Sequence, residues 1–189
     1  LFGNDFFVEN IYLTLIINEV VLILIPVLVY AFVNKLDFKE TFRLRPFRKS
    51  DAFLILAISL PAYFVAVMLN NIAYFIIQFI GEIPAQPFPV PKNFQEYILG
   101  LLVVAVLPGI CEEMMHRGLI LKAYEKRGSM KAIIITAIFF GLFHFDITNL
   151  LGPVFLGLLI GYYVIRTNSI FAGMLAHFAN NFIAQTLQY

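Results

Sequence analysis

The chain has 189 residues, 61% of them apolar and 13% charged, with a mean hydropathy of +0.87. A soluble domain is about half apolar and about a quarter charged, so this balance excludes a soluble globule, a disordered chain, a collagen-like fibre and a disulfide scaffold. A net charge of +1 points to no nucleic-acid partner. A bilayer span takes about 20 apolar residues, and the length holds six of them with short loops in a single domain covering 1–189. The expected fold is all-α: a polytopic transmembrane helical bundle of about six spans plus a basic interfacial segment.

In chain order, the first span is expected over about 11–33. The chain begins at Leu1 rather than Met, which suggests a trimmed or partial chain. The first apolar run lacks a basic leader and a small-residue cleavage site, so it reads as a retained span rather than a signal peptide. Residues 35–51 (KLDFKETFRLRPFRKSD) interleave Phe38, Phe42, Leu44 and Phe47 with cations. That pattern suits a segment lying in the membrane interface, and a solvated loop fits equally. The apolar run 52–80 is longer than one span requires and is interrupted by Asn70 and Asn71. Both a long tilted helix and a span followed by a short broken helix are compatible with it. Residues 81–91 (GEIPAQPFPVP) are too proline-rich for regular helix and read as an extended loop. Four further helices are expected at about 94–121, 130–145, 150–165 and 169–187. The two 16-residue runs are short for spanning and suggest helices enclosed by neighbours or by a thinned, wet region. Gly157 and Gly161 form a small-xxx-small pair that admits a close neighbour. Cys111 is expected to be an inert buried thiol.

Orientation follows from the cations. Eleven of the thirteen lie in three loops, 35–51, 122–131 and 166–168, which six spans place on one side. The positive-inside rule makes that side cytoplasmic and puts the N-terminus outside.

Ionisable side chains inside spans are costly and mark function or buried pairs. Here they are Glu19, Glu112, Glu113, His116, Arg117, His144 and His177. Glu113 and Arg117, four apart, are set for an ion pair, which leaves Glu112 as the carboxylate free for chemistry. His144 shares a helix face with Phe140, one turn earlier, and His177 shares one with Asn181. At 1.5 Å per residue, measured from the cytoplasmic cations, Glu112 lies about 15 Å deep and His144 about 20 Å. His177 and Asn181 lie about 14–20 Å deep on the same basis. Three helices thus bring polar groups to one level, which favours a composite site over independent structural residues. Pro108-Gly109, just before the glutamates, should kink its helix and free backbone carbonyls, which fits a hydrated cavity beside Glu112.

The series EExxxR (Glu112, Glu113, Arg117), FxxxH (Phe140, His144) and HxxxN (His177, Asn181) resembles the CPBP family, the CAAX proteases and bacteriocin-processing enzymes also called Abi or type II CAAX endopeptidases. The resemblance covers about 101–189, so 94–189 is expected to be the catalytic core, with 1–93 supplying the N-terminal spans, interfacial segment and loop. It implies an intramembrane endopeptidase. Glu112 with His144 would activate the attacking water, and His177 with Asn181 would polarise the scissile carbonyl. Glu113 and Arg117 would form the supporting ion pair, and Phe140 would line the substrate pocket. No cofactor is expected in the glutamate mechanism; a zinc ion held by Glu112, His144 and His177 is the alternative, although the usual HExxH spacing is absent. The expected partners are a membrane-associated peptide or protein substrate, CAAX-type or bacteriocin- or signal-peptide-like, and the lipid bilayer. The alternative reading is a non-catalytic membrane binding or immunity module, or an accessory domain of a transporter. Proton-coupled transport is weaker, because no paired halves are evident. Glu19 and His116 have no assigned role, and the sequence does not specify an oligomeric state.

Overall fold

The structure, a computed structural model, describes residues 10–81 and 89–189. Within them the chain forms α1 (Ile11–Val33), α2 (Phe38–Thr41), α3 (Lys49–Ile77), α4 (Phe94–Glu125), α5 (Ser129–Leu142), α6 (Leu151–Thr167) and α7 (Ile170–Gln188), with no strand. The 23, 29 and 32 residues of α1, α3 and α4 are long and apolar enough to cross a membrane. Their outward side chains, among them Leu22, Phe32, Phe53 and Phe75, are exposed and apolar. In water such a surface would aggregate; in lipid it is solvated. The chain is a helical integral membrane protein.

α5 and α6 are shorter apolar helices of 14 and 17 residues. They pack on each other, α6 also on α3, and α7 lies against α3, α4 and α6. The small-residue pair explains the first of these contacts. A Cβ on Gly157 would sit 2.9 Å from the Ala137 Cα, and one on Gly161 would sit 3.3 Å from the Ile133 side chain. Helices approach this closely only where one of them lacks a side chain.

α3 is one unbroken helix of 29 residues, which decides between the two readings of the 52–80 run. Asn70 is satisfied across the bundle rather than by breaking its own helix. Its Nδ2 donates to Asn149 Oδ1 at 2.7 Å, and its Oδ1 accepts from the Gly152 amide at 2.7 Å. α4 likewise runs through Pro108-Gly109 without a break. It absorbs the proline by widening into π turns at Leu101–Val106 and Met114–Ile120, a response typical of a helix that has lost part of its hydrogen-bond ladder. Of the expected 81–91 loop, residues 82–88 lie outside the described residues, and 89–91 are non-helical.

The basic stretch 35–51 is a docked segment. α2 is capped by Asp37, whose side chain accepts from the Glu40 amide at 3.0 Å. Phe42 is fully buried with Val27, Ala31 and Ile170, and its ring fills the space over Gly118. Arg43 is buried, pairs with Glu125 at 2.6 Å and donates to Asn168 Oδ1 at 3.2 Å. One guanidinium therefore gathers the loops at 35–51, 122–131 and 166–168 at one end of the bundle, the grouping expected from the distribution of cations.

Replacing Gly157 with Val should push α6 off α5. Overpacking of this kind costs about 1–3 kcal/mol; it should appear as a lowered Tm in detergent, whereas Val at the exposed Gly81 should leave the Tm unchanged.

Candidate active site

α4 carries Glu113 and Arg117 one turn apart, and both are fully buried. Arg117 Nη1 donates to Glu113 Oε1 at 2.6 Å, and its Nη2 donates to the Gly157 carbonyl of α6 at 3.2 Å. The guanidinium also lies 4.5 Å from the centroid of the Phe140 ring of α5. The expected ion pair is therefore present and reaches three helices. The absence of a side chain at Gly173 brings the α7 backbone close: a Cβ there would stand 2.8 Å from Glu113 Oε2.

The same carboxylate serves a histidine. His177, on α7, donates from Nδ1 to Glu113 Oε1 at 3.0 Å. His144 lies in the turn just beyond the end of α5, where carbonyls lack helical partners. Its Nδ1 donates to the Phe140 carbonyl at 2.9 Å. His116 does the same one turn along α4, donating to the Glu112 carbonyl at 2.9 Å. With Nδ1 carrying the proton in each case, Nε2 is the basic nitrogen. Phe140 stands at the centre: its ring centroid is 5.1 Å from His116, 5.2 Å from His144 and 5.4 Å from His177, each edge to face.

His144, His177, Asn181 and Phe140 line one cavity of about 270 Å³. Residues not singled out in the sequence complete its wall, notably Tyr63, Asn149 and Asn180. Asn70 also lines it; its position within an apolar run was the available signal. The side chain of Asn181 is held by the helix irregularity. In α-helical register the Pro108 N–H would take the Val104 carbonyl, and proline has none. Asn181 Nδ2 donates to that carbonyl at 2.9 Å instead. An amide nitrogen carries two hydrogens, so the second remains available to a ligand.

Glu112 is not among the cavity-lining residues. It is half-buried, on the Leu107–Glu113 stretch of α4 that packs against the Asn18–Leu24 turn of α1, where Glu19 is buried. The structure thus brings together His144, His177 and Asn181 and leaves Glu112 outside their cavity. A zinc ion on Glu112, His144 and His177 would need all three side chains to converge. Among the described residues no three His, Cys, Asp or Glu side chains gather closely enough to hold a metal ion, so this donor set, as arranged, does not fit one. Cys111 is buried and free, as expected.

The Val104–Asn181 bond yields a double-mutant test. N181A should destabilise the protein by about 1 kcal/mol by stranding a carbonyl. In a P108A background, which restores an N–H, the loss should be at least halved; equal losses in both backgrounds would show that the carbonyl has another partner.

Comparison with curated proteins and with solved structures finds no match for the chain. Residues 94–183 match the family model described as type II CAAX prenyl endopeptidase Rce1-like. That segment runs from the start of α4 to within six residues of the end of α7, so it takes in the ion pair, all three histidines and Asn181. The motifs and the family match agree: residues 94–183 are similar to the Rce1-like type II CAAX endopeptidases, consistent with the CPBP family.

Proposed function

We propose that the chain is an intramembrane endopeptidase that hydrolyses a peptide bond of a membrane-associated substrate at the cavity between α3, α5, α6 and α7. The observation that carries this reading is the convergence of His144, His177 and Asn181 on that cavity, each already anchored by its other polar atom. Anchoring fixes the aim of the free atoms before substrate arrives, and preorganised groups in a dry site are what stabilise developing charge.

In this reading a water in the cavity loses a proton to Glu112 acting with His144, and its oxygen attacks the scissile carbonyl carbon. Glu112, outside the cavity in the resting arrangement, turns toward it as substrate enters. The carbonyl oxygen becomes an oxyanion, which accepts from the free N–H of Asn181. His177 donates to the same carbonyl oxygen from Nε2 when that nitrogen also carries a proton, and Glu113, bonded to Nδ1, stabilises the resulting imidazolium. The intermediate collapses by breaking the C–N bond, with the proton taken from water returned to the leaving amine. Phe140 bounds the substrate pocket. Residues 94–189 form the catalytic core. The end of the bundle that carries the basic loops is cytoplasmic and the N-terminus faces out. The substrate is a CAAX-type or a bacteriocin- or signal-peptide-like segment.

The test is cleavage of membrane-tethered peptides by purified protein in nanodiscs. H144A, H177A and E112A should each lower kcat/KM by roughly 10²–10⁴-fold, the usual worth of a positioned acid or base. Full-rate cleavage by both E112A and H144A would overturn the assignment. Metal content is measured on the same samples. A stoichiometric ion whose removal abolishes cleavage would transfer the chemistry to a metal site.

A further inference from the structure

A groove of about 400 Å³ runs beside the C-terminal ends of α1 and α4 and shares no residue with the cavity described above. Leu36, Leu119, Ile120 and Ala123 give it an apolar lining, to which Thr41, Lys122, Tyr30 and Tyr124 add polar groups. Tyr30 is 56% exposed, and Phe32 and Val33 beside it in α1 are more so, which sets the groove against lipid. Tyrosines collect at the level of the lipid headgroups, where the ring stays apolar and the hydroxyl stays wet. The groove therefore lies at the membrane interface, at the end of the bundle where the basic loops meet.

Acyl chains enter any groove open to the bilayer, and lipid tails are as apolar as leucine, so the apolar lining does not choose among lipids. The charges do. In 35–45 and 122–127 seven cations stand against three carboxylates, Asp37, Glu40 and Glu125. Glu40 pairs with Arg45, and Glu125 pairs with Arg43 at 2.6 Å. Lys122 Nζ stands 3.7 Å from that same Glu125 oxygen. This is too long for a hydrogen bond, so the three N–H donors of the ammonium are open to another acceptor. A second cation is close by: the Arg127 guanidinium carbon lies 5.6 Å from the centroid of the Tyr124 ring. Only 9% of Thr41 is exposed, and its hydroxyl has no hydrogen-bond partner among the described residues. Unfilled donors beside an apolar channel match an anion that carries an apolar tail.

We propose that this groove binds one anionic phospholipid, with its phosphate at Lys122 and Thr41 and an acyl chain along Leu36, Leu119, Ile120 and Ala123. Basic pockets between membrane helices hold acidic headgroups on the same terms. The lipid bridges α1, α2 and α4, three elements that otherwise meet here only through side chains around Phe42 and Arg43. The site needs no catalysis and stands apart from the reading of the chain as a peptidase.

The experiment is native mass spectrometry of the intact chain in detergent, titrated with phosphatidylglycerol or with phosphatidylcholine of the same acyl chains. Wild type should retain one phosphatidylglycerol and bind it at least about five-fold more tightly than phosphatidylcholine, the usual worth of one cation at an anionic lipid surface. K122A should lose that preference, leaving Glu125 with Arg43, and K122R should restore it, which separates lost charge from lost fold. K49A removes an exposed cation at the same end of the bundle but outside the groove, and should bind as wild type does. A123W fills the groove without changing its charge and should abolish the adduct. Phosphatidylcholine bound as tightly as phosphatidylglycerol, equal losses in K122A and K49A, or undiminished binding by A123W would overturn the proposal.

Discussion

A fully buried guanidinium paired with a fully buried carboxylate is the constraint around which the C-terminal half of the chain is arranged. Neither charge could stand alone at this depth, and removing one partner of such a pair typically costs 3–5 kcal/mol. The pair therefore has to be enclosed, and the groups enclosing it come from every neighbouring helix: the Gly157 carbonyl from α6, the Phe140 ring from α5 and the His177 imidazole from α7. Glycine at 157 and 173 permits that approach. An electrostatic requirement is met here by steric means, and the geometry of the site follows from it.

Backbone groups released by helix irregularities hold the remaining polar side chains. The end of α5 offers the Phe140 carbonyl to His144, and Pro108 leaves the Val104 carbonyl to Asn181. Non-helical backbone at membrane depth is tolerated only where something re-satisfies it, and here the residues that do so are the ones that line the cavity. The hydrogen bonds that repair the backbone also orient these side chains at the cavity. An N-terminal helix takes part on similar terms: Asn70 of α3 secures the start of α6.

Much of this was legible in the linear chain because the period of a helix is fixed. Residues four apart share a face, so Glu113–Arg117 could be read as a pair, Phe140–His144 as neighbours and Gly157–Gly161 as a contact surface, and each is found so. Apolar run lengths placed the helices to within a few residues, since lipid thickness sets them. The cations identified loops that meet at one end, where Arg43 joins them.

What periodicity cannot supply is the rotation of one helix about its axis relative to the next, and that rotation chooses partners far apart in sequence. His177 finds Glu113 across 64 residues and Asn181 finds Val104 across 77. Glu112, which the sequence grouped with the histidines, lies outside their cavity, on the stretch of α4 that packs against the π turn of α1. The sequence by itself determined the helical membrane class, the approximate helix lengths and the Glu113–Arg117 pair within one turn, because these depend on local geometry and on the solvent. Only the tertiary structure decided which imidazole meets which carboxylate and which residues share the cavity, because those depend on how seven helices pack around one buried charge.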